Sequence, residues 1–334
     1  VTITTYYVTG TDINGCTGTV SVIITVKSLP NVSINASTTI SCSGDNVTLT
    51  GQGAVSYSWS TGQIAGSIIV SPTTTTTYRV TGTAANGCSN TASQLITVNN
   101  KPNITVLATP SAICIGSSSN LTAQNGIIYS WSDGQTGSSV FVSPTVTTTY
   151  TVTGTDANGC TNTSNVTVTV NNNPTITMSP IMGEPGEVCL GNSLTLQAFG
   201  GTFYSWSTGQ SGLGLNVISV SPTVNTTYFV TGTDNNGCSG TDETTVTVLG
   251  LPTITVNASP SAICNGGSST LTANGGVTYS WNTGQTGQNI SVSPTTTTTY
   301  TVTGWGANNC SNSNTIVVTV NNPPNVSITP SATT

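Results

Sequence analysis

The stretch "TYTVTGTDANGC", residues 149–160, carries in twelve letters the two signals that decide the fold. Its first half alternates along the chain in steps of two and is rich in Thr, Tyr and Val, which is typical of a strand with one buried face. Its second half places Asp, Asn and Gly before a cysteine, a combination typical of a tight turn between antiparallel strands. The stretch therefore predicts a hairpin that also carries one end of a disulfide.

Four further copies of this stretch indicate tandem repeats. They read "TYYVTGTDINGC", "TYRVTGTAANGC", "TYFVTGTDNNGC" and "TYTVTGWGANNC". Every complete period also contains "YSW", a strand that ends in "SP", a threonine-rich run and a final strand like "VTVTV". The tyrosine before each turn recurs every 72 residues, with one interval of 78, at Tyr6, Tyr78, Tyr150, Tyr228 and Tyr300. A fixed period of this kind indicates copies of one small domain.

The repeats read as strands and turns throughout, so we predict an all-β chain of antiparallel sandwiches. Short proline-containing joints such as "NNKPN" should be semi-rigid, which predicts an elongated rod. The expected divisions are the C-terminal part of a repeat at 1–26, complete repeats at 27–99, 100–171, 172–249 and 250–321, with loop insertions in the third, and the first strand of a further repeat at 322–334.

The composition excludes several function classes. Only 4% of the residues are charged, against about 25% in ordinary soluble proteins. The three basic residues cannot neutralise a row of phosphates, so neither nucleic acid nor an anionic membrane is an expected partner. Histidine is absent, which removes the usual general base and the commonest metal ligand. We therefore expect no enzymatic activity, no cofactor and no metal site. Since no apolar run of about 18 residues occurs, we also expect no membrane span.

The aromatic residues of "YSW" have two readings. The Tyr and the Trp lie two positions apart, so both point to the same face of a strand, as either a sugar-stacking platform or a core pair would require. We favour the core because every complete repeat has one such pair, with a leucine of the "LT" strand as the opposite wall. The expected core residues are Trp59, Trp131, Trp206 and Trp281, the leucines Leu49, Leu121, Leu196 and Leu271, and the tyrosines Tyr78, Tyr150, Tyr228 and Tyr300.

The nine cysteines occupy two positions in the repeat, one before the "LT" strand and one at the end of the turn. Without histidine for a zinc site, they indicate disulfides formed in an oxidising compartment. Pairing within a repeat would close a loop of about 46 residues and stabilise it by roughly 4 kcal/mol. Strand counting, however, puts the two positions near opposite poles of a standard sandwich, so an altered strand order or bridges between chains stay open. The expected pairs are Cys42–Cys88, Cys114–Cys160, Cys189–Cys238 and Cys264–Cys310, with the partner of Cys16 upstream of the chain.

The acidic residue at the head of the turn raises the question of calcium. Asp12, Asp156 and Asp234 stand there, but the other two copies have Ala84 and Gly306. Calcium needs six to eight oxygen ligands, which these loops do not supply. A turn needs only an Asx side chain and a glycine, so we interpret the motif as a turn.

The pattern breaks at two places that are candidates for contacts with other molecules. "SPIMGEPGEVC" in the third repeat is longer than its counterparts and contains Glu184 and Glu187. In the last copy of the turn motif, Trp305 stands where the other copies have a threonine. Insertions in repeat arrays often map to one face and carry function, although drift in a tolerant loop would look the same.

The combined pattern "C-x-G…LTA…YSWSTGQ…SPTTTTTYTVTGTDANGC…VTVTV" resembles the PKD-like or bacterial immunoglobulin-like repeats of very large cell-surface proteins of the Bacteroidota. The resemblance covers the whole chain. It implies a tandem array of immunoglobulin-like sandwiches, an extracellular location, export by type IX secretion, and a role in adhesion, gliding or capture of other cells.

From residues and resemblance together we expect the structural shaft of an extracellular filament or giant surface adhesin. The nearly uncharged, threonine-rich surface favours self-association, so the expected partner is a second copy of the chain. The alternative is an adhesin module that binds glycans or another surface through the third-repeat loops and Trp305.

Overall fold

The computed structural model describes residues 1–181 and 186–329. Every regular element among them is a β-strand. These residues include no helix long and apolar enough to cross a membrane. The chain divides into two compact units, Val1–Asn171 and Asn172–Thr334.

The first unit opens with a hairpin of strands β1 (Thr2–Thr11) and β2 (Thr17–Val26). The strands are antiparallel, and Tyr6 lies opposite Val22. Tyr6 is 54% exposed and Val8 is 65% exposed, whereas the matching residues of the complete repeats are buried. The hairpin therefore has the sequence of the last two strands of a repeat but shows both faces to solvent.

The first sandwich consists of two sheets that face one another across a core. One sheet has the order β3-β5-β7 and the other the order β4-β9-β8-β6, in which β4 is parallel to β9. Its strands are β3 (Ser33–Ala36), β4 (Ile40–Cys42), β5 (Val47–Gln52), β6 (Ser56–Trp59), β7 (Ser67–Val70), β8 (Thr76–Thr83) and β9 (Ser89–Asn99).

The second sandwich repeats this order, with sheets β10-β12-β14 and β11-β16-β15-β13. Its strands are β10 (Thr105–Thr109), β11 (Ala112–Cys114), β12 (Ser119–Gln124), β13 (Ile128–Trp131), β14 (Ser139–Val142), β15 (Thr148–Thr155) and β16 (Thr161–Asn171). The stretch "TYTVTGTDANGC", residues 149–160, thus forms all of β15 except its first residue, together with the turn into β16.

The third sandwich, in the second unit, has one additional strand. The insertion "SGLGLNV" forms β21, which pairs with β20 and extends the larger sheet to the order β18-β24-β23-β20-β21, opposite β17-β19-β22. Its strands are β17 (Thr177–Pro180), β18 (Glu187–Cys189), β19 (Leu194–Phe199), β20 (Phe203–Trp206), β21 (Ser211–Leu213), β22 (Val217–Val220), β23 (Thr226–Thr233) and β24 (Ser239–Leu249).

The fourth sandwich returns to the seven-stranded pattern, with sheets β25-β27-β29 and β26-β31-β30-β28. Its strands are β25 (Thr255–Ser259), β26 (Ala262–Cys264), β27 (Ser269–Asn274), β28 (Thr278–Trp281), β29 (Asn289–Val292), β30 (Thr298–Trp305) and β31 (Ser311–Asn321). Residues 322–329 form no strand, and the rest of the segment expected to begin a further repeat lies outside the described residues.

Each sandwich has its own apolar core. A leucine of the second strand of each smaller sheet is fully buried at its centre, at Leu49, Leu121, Leu196 and Leu271. The tryptophans Trp59, Trp131, Trp206 and Trp281 and the tyrosines Tyr78, Tyr150, Tyr228 and Tyr300 are buried around it. Burial raises the pKa of Tyr78, Tyr150 and Tyr228. The tandem array of immunoglobulin-like β-sandwiches is therefore built from independent cores.

The glycine of "TVTGT" has a packing role in these cores. Gly154 lies opposite Tyr129 in the sheet, and a Cβ atom at this position would overlap the side chain of Ile104. The glycine therefore makes room for an isoleucine from the start of the repeat.

Candidate functional sites at the joints and on the fourth sandwich

The disulfides join consecutive sandwiches. Cys42, at the end of β4 in the first sandwich, is bonded to Cys160, which ends the turn between β15 and β16 in the second; their Cα atoms are 5.6 Å apart. In the second unit Cys189 of β18 is bonded in the same way to Cys310, in the turn that precedes β31. Each bond therefore links one repeat to the turn of the next.

The expected pairing within repeats, Cys42–Cys88, Cys114–Cys160, Cys189–Cys238 and Cys264–Cys310, is wrong. The strand order supplies the reason. Cys42 lies beside Asn99, the last residue of β9, whereas Cys88 precedes the first. Eleven strand residues separate those two ends by roughly 35 Å, far beyond the reach of a disulfide. Cys114 and Cys238 are also disulfide-bonded, and Cys16, Cys88 and Cys264 are free thiols.

The first joint has polar contacts beside its disulfide. The ammonium of Lys101, in the linker, lies 2.8 Å from a carboxylate oxygen of Asp45, in the turn after β4. Both side chains are substantially exposed, so this ion pair contributes little to stability. A cleft of 250 Å³ at the joint is lined by residues of both sandwiches, including Cys42, Asn99 and Asn158. The disulfide is therefore the strongest of these contacts between the first and second sandwiches.

Asparagines of the last strand hold the proline linkers in place. The side-chain amide of Asn162 donates to the carbonyl of Pro102 at 2.9 Å. Asn90 and Asn312 donate in the same way to Pro30 and Pro252, each at 3.0 Å. In the third sandwich the proline carbonyl instead approaches a glycine closely, since a Cβ atom on Gly240 would overlap it. Each of these linkers thus packs on the sandwich that follows it in the sequence.

The aspartates of the turn use their carboxylates within the turn. One oxygen of Asp156 accepts the backbone N–H groups of Asn158 at 2.9 Å and Cys160 at 2.8 Å. Where the aspartate is missing, Asn308 accepts the N–H of Cys310 at 3.2 Å. Both arrangements satisfy the backbone N–H of the cysteine that is bonded to the preceding sandwich; these disulfides between sandwiches, Cys42–Cys160 and Cys189–Cys310, are called staples below. Gly159, with φ at 81°, completes the turn.

Asp234 shows the electrostatic effect of this geometry. The N–H of Cys238 donates to its carboxylate at 2.9 Å, and the N–H of Asn236 does so at 2.8 Å. These donors, Cys238 first, hold the pKa of Asp234 below its ordinary value. Among the described residues, no group of His, Cys, Asp and Glu side chains is arranged to hold a metal ion.

The "YSW" pairs are used internally. The hydroxyl of Tyr129 accepts the N–H of Gly126 and donates to the carbonyl of the same residue, at 2.7 and 2.9 Å. The indole N–H of Trp131 donates to the carbonyl of Gly137 at 2.9 Å. Buried rings with satisfied polar atoms offer no surface on which a sugar could stack.

Trp305 is placed differently. It ends β30 opposite Thr278 of β28, and its side chain is only partly buried. It lines a cleft of 620 Å³ together with residues 276–280 and 286–288. Sequence reasoning singled out Trp305 but missed its neighbours, because Thr278 lies on β28 and Gln288 lies in the loop before β29, and neither position was recognised as part of a site. Of the other two candidates, Glu187 is an exposed residue at the start of β18, and Glu184 lies outside the described residues.

No protein-family model and no curated protein matches the chain. Among solved structures, a Ca²⁺-stabilised ice-binding adhesin of an Antarctic bacterium aligns at 17% identity and a TM-score of 0.34, covering 88% of this chain and 100% of that one. The N-terminal eight immunoglobulin domains of Down syndrome cell adhesion molecule align at 13% identity and 0.32, covering 95% and 52%. The D1–D4 ectodomain fragment of ICAM-5 aligns at 10% and 0.33, covering 86% and 99%. Similarity at this level carries no argument about function.

Proposed function

We propose that the chain is the structural shaft of an extracellular filament or giant surface adhesin, built from repeats bounded as the sequence predicts. The observation that carries this proposal is the disulfide from one repeat to the turn of the next, seen at Cys42–Cys160 and at Cys189–Cys310. A bond within a repeat would stabilise that domain alone. A bond between repeats limits how two domains can move relative to one another, which is what an array that must resist bending and tension requires.

The joint is a double connection. The polypeptide passes from β9 through the proline linker to β10, and the disulfide forms a second covalent path from β4 to the turn before β16. Neighbouring sandwiches are therefore tied at two separate points, which restricts both bending and twisting. The stable bond also fits an oxidising, extracytoplasmic location.

Self-association is part of the same proposal. The exposed face of the larger sheets carries ladders of hydroxyl groups, such as Thr149 and Thr167, whose oxygens lie 2.8 Å apart. With a net charge of −6 spread over 334 residues, two copies repel each other only weakly. Homo-oligomers formed through these neutral surfaces would thicken or bundle the shaft.

The free thiols support lengthwise joining. Cys264 occupies the strand position that is bonded at Cys42 and Cys189, and Cys88 occupies the turn position that is bonded at Cys160 and Cys310. Each matches the other half of the same staple, presented by a further repeat of the same or another chain. Forming the bond removes two protons and two electrons from two thiols, and a disulfide-bearing oxidant of the extracytoplasmic space accepts them.

In its biological setting, this shaft belongs to a surface protein of the kind that the repeats resemble, exported by type IX secretion in a member of the Bacteroidota and used in attachment, gliding or capture of other cells. A second candidate function is direct contact with a glycan-coated surface. One observation favours it, the cleft beside Trp305 on a sandwich that otherwise shows regular repeat structure.

Electron microscopy of the native protein tests the shaft. We expect extended particles with a narrow range of angles between sandwiches, and side-by-side association at high concentration. The variant Cys42→Ser/Cys160→Ser/Cys189→Ser/Cys310→Ser should show a broader range of angles, whereas Cys16→Ser/Cys88→Ser/Cys264→Ser, which keeps the staples, should not. Equally flexible, isolated particles for all three proteins would contradict the proposal.

A further inference from the structure

The cleft beside Trp305 has the features of a small-molecule site. Its volume of 620 Å³ lies within the usual range for ligand pockets. Trp305 continues the alternation of β30, in which Tyr300 and Val302 face the core, so the indole lies on the outer face of the sheet. The partly exposed indole therefore forms an apolar wall on an otherwise polar surface.

Polar side chains complete the cleft. The amide nitrogen of Gln288 donates to a side-chain oxygen of Asn274 at 3.1 Å, which holds the Gln288 side chain in place. The hydroxyls of Thr278 and Thr286 face solvent and make no hydrogen bond within the described residues. One apolar ring is thus surrounded by hydroxyl and amide groups that are available to a ligand.

The charge of the region narrows the chemistry of that ligand. No Asp, Glu, Lys, Arg or His occurs in residues 244–334, so the fourth sandwich has no ionised side chain. A charged ligand would lose hydration without gaining an ion pair. A ligand with one apolar face and several hydroxyl groups satisfies both walls of the cleft. We propose that the Trp305 cleft binds a neutral pyranose residue of a surface glycan, with its C–H face on the indole and its hydroxyls on Thr278, Thr286 and Gln288.

The second sandwich supplies a natural comparison. It has Gly126, Tyr129, Ser130, Thr136 and Gly137 at the positions equivalent to the cleft. Three of the four residues assigned to the sugar differ: Thr155 stands in place of Trp305, Ile128 in place of Thr278, and Ser138 in place of Gln288. The fourth, Thr286, is matched by Thr136, and Val277 is replaced by another apolar residue, Ile127. The frame of the cleft is therefore common to both repeats, and three of its four binding groups, including the indole, are specific to the fourth.

This site deepens the second candidate function, contact with a glycan-coated surface, and rests on it; it does not depend on the staples. The test is an array of neutral and acidic oligosaccharides probed with the whole chain, followed by calorimetry with the best neutral ligand. We expect neutral sugars to bind, acidic ones to bind no better, and Trp305→Thr to weaken binding by at least about tenfold. Trp305→Thr installs the residue of the other repeats, so its fold should be kept, and a thermal melt checks this.

The control variant is Phe141→Ser, which removes an aromatic side chain that is 70% exposed on the second sandwich. It should leave sugar binding unchanged.

A second measurement needs no variant. Because the four "YSW" tryptophans are buried, quenching of fluorescence by acrylamide reports mainly on Trp305, and a bound sugar should reduce it.

Two results would overturn the inference: no neutral sugar protects Trp305 or binds at millimolar concentration, or binding persists unchanged in Trp305→Thr. If no neutral sugar binds but the chain still adheres to cells, and Trp305→Thr abolishes that adhesion, the contact with a cell surface is supported. Only the identification of the ligand as a neutral sugar is then wrong. Binding that survives reduction of the disulfides is expected, since the cleft lies within one sandwich.

Discussion

The Cα atoms of Cys42 and Cys160 lie 5.6 Å apart, although 118 positions separate the two residues in the sequence and each belongs to a different sandwich. The bond ties the end of one repeat to a turn of the next, so it stabilises a joint rather than a core. Each core already contains a complete set of buried Leu, Trp and Val side chains. The sandwiches should therefore fold without their disulfides.

The first prediction concerns reduction. Reducing the protein should leave the near-ultraviolet circular dichroism of the buried tryptophans nearly unchanged, because their environment lies within single sandwiches. The joint alone should loosen, so proteolysis in the linker around Lys101 should become faster. Mass spectrometry of unreduced peptides should find Cys42 linked to Cys160 and Cys189 linked to Cys310. Loss of the tryptophan signal on reduction would mean that the disulfides support the cores after all.

Much of this fold is readable from the sequence. The alternation of residues within strands, the period of the "YSW" pairs and the turn signals predict sandwiches with buried Trp131 and Tyr150, and both are buried. Strand counting indicated that Cys42 and Cys88 lie near opposite poles, but the disulfide between sandwiches was not predicted, because local sequence does not reveal that the first strand is divided between two sheets. That division puts β4 beside the end of β9 and Cys42 at the far pole from Cys88. The Trp305 cleft needed the structure for a similar reason, since its walls come from β30, from β28 and from the loop before β29.

The second prediction concerns the glycine of "TVTGT". Gly154→Ala should destabilise the second sandwich by about 1–3 kcal/mol, because the added methyl group collides with Ile104 in a filled core. Gly10→Ala is the matched control: it changes the same position of the motif in the first hairpin, where nothing lies within 4 Å of the new atom. Hydrogen exchange followed by mass spectrometry measures the effect in peptides of each repeat. Equal protection in the two variants would show that the glycine is not needed for packing.

The third prediction concerns pH and Asp234. Its folded pKa is lowered by the N–H groups it accepts, Cys238 first, so the carboxylate adds stability above the unfolded pKa and loses it as the pH falls through the folded value. Asp234→Asn keeps an oxygen acceptor without the charge. We expect the wild type to melt at a higher temperature than this variant near neutral pH and the difference to vanish in acid. A difference that grows on acidification would contradict the assigned sign.

The last prediction concerns the thiols. Cys16 and Cys264 are exposed and Cys88 is partly exposed, whereas the other six cysteines are disulfide-bonded, so brief alkylation of the unreduced protein should label these three alone. Cys88 and Cys264 hold complementary halves of the staple, so mild oxidation at high concentration should join copies end to end through them. Cys264→Ser should prevent that Cys88–Cys264 link, and Cys16→Ser should not. Oxidised oligomers containing Cys16 but no Cys88–Cys264 peptide would indicate random thiol coupling rather than extension of the array.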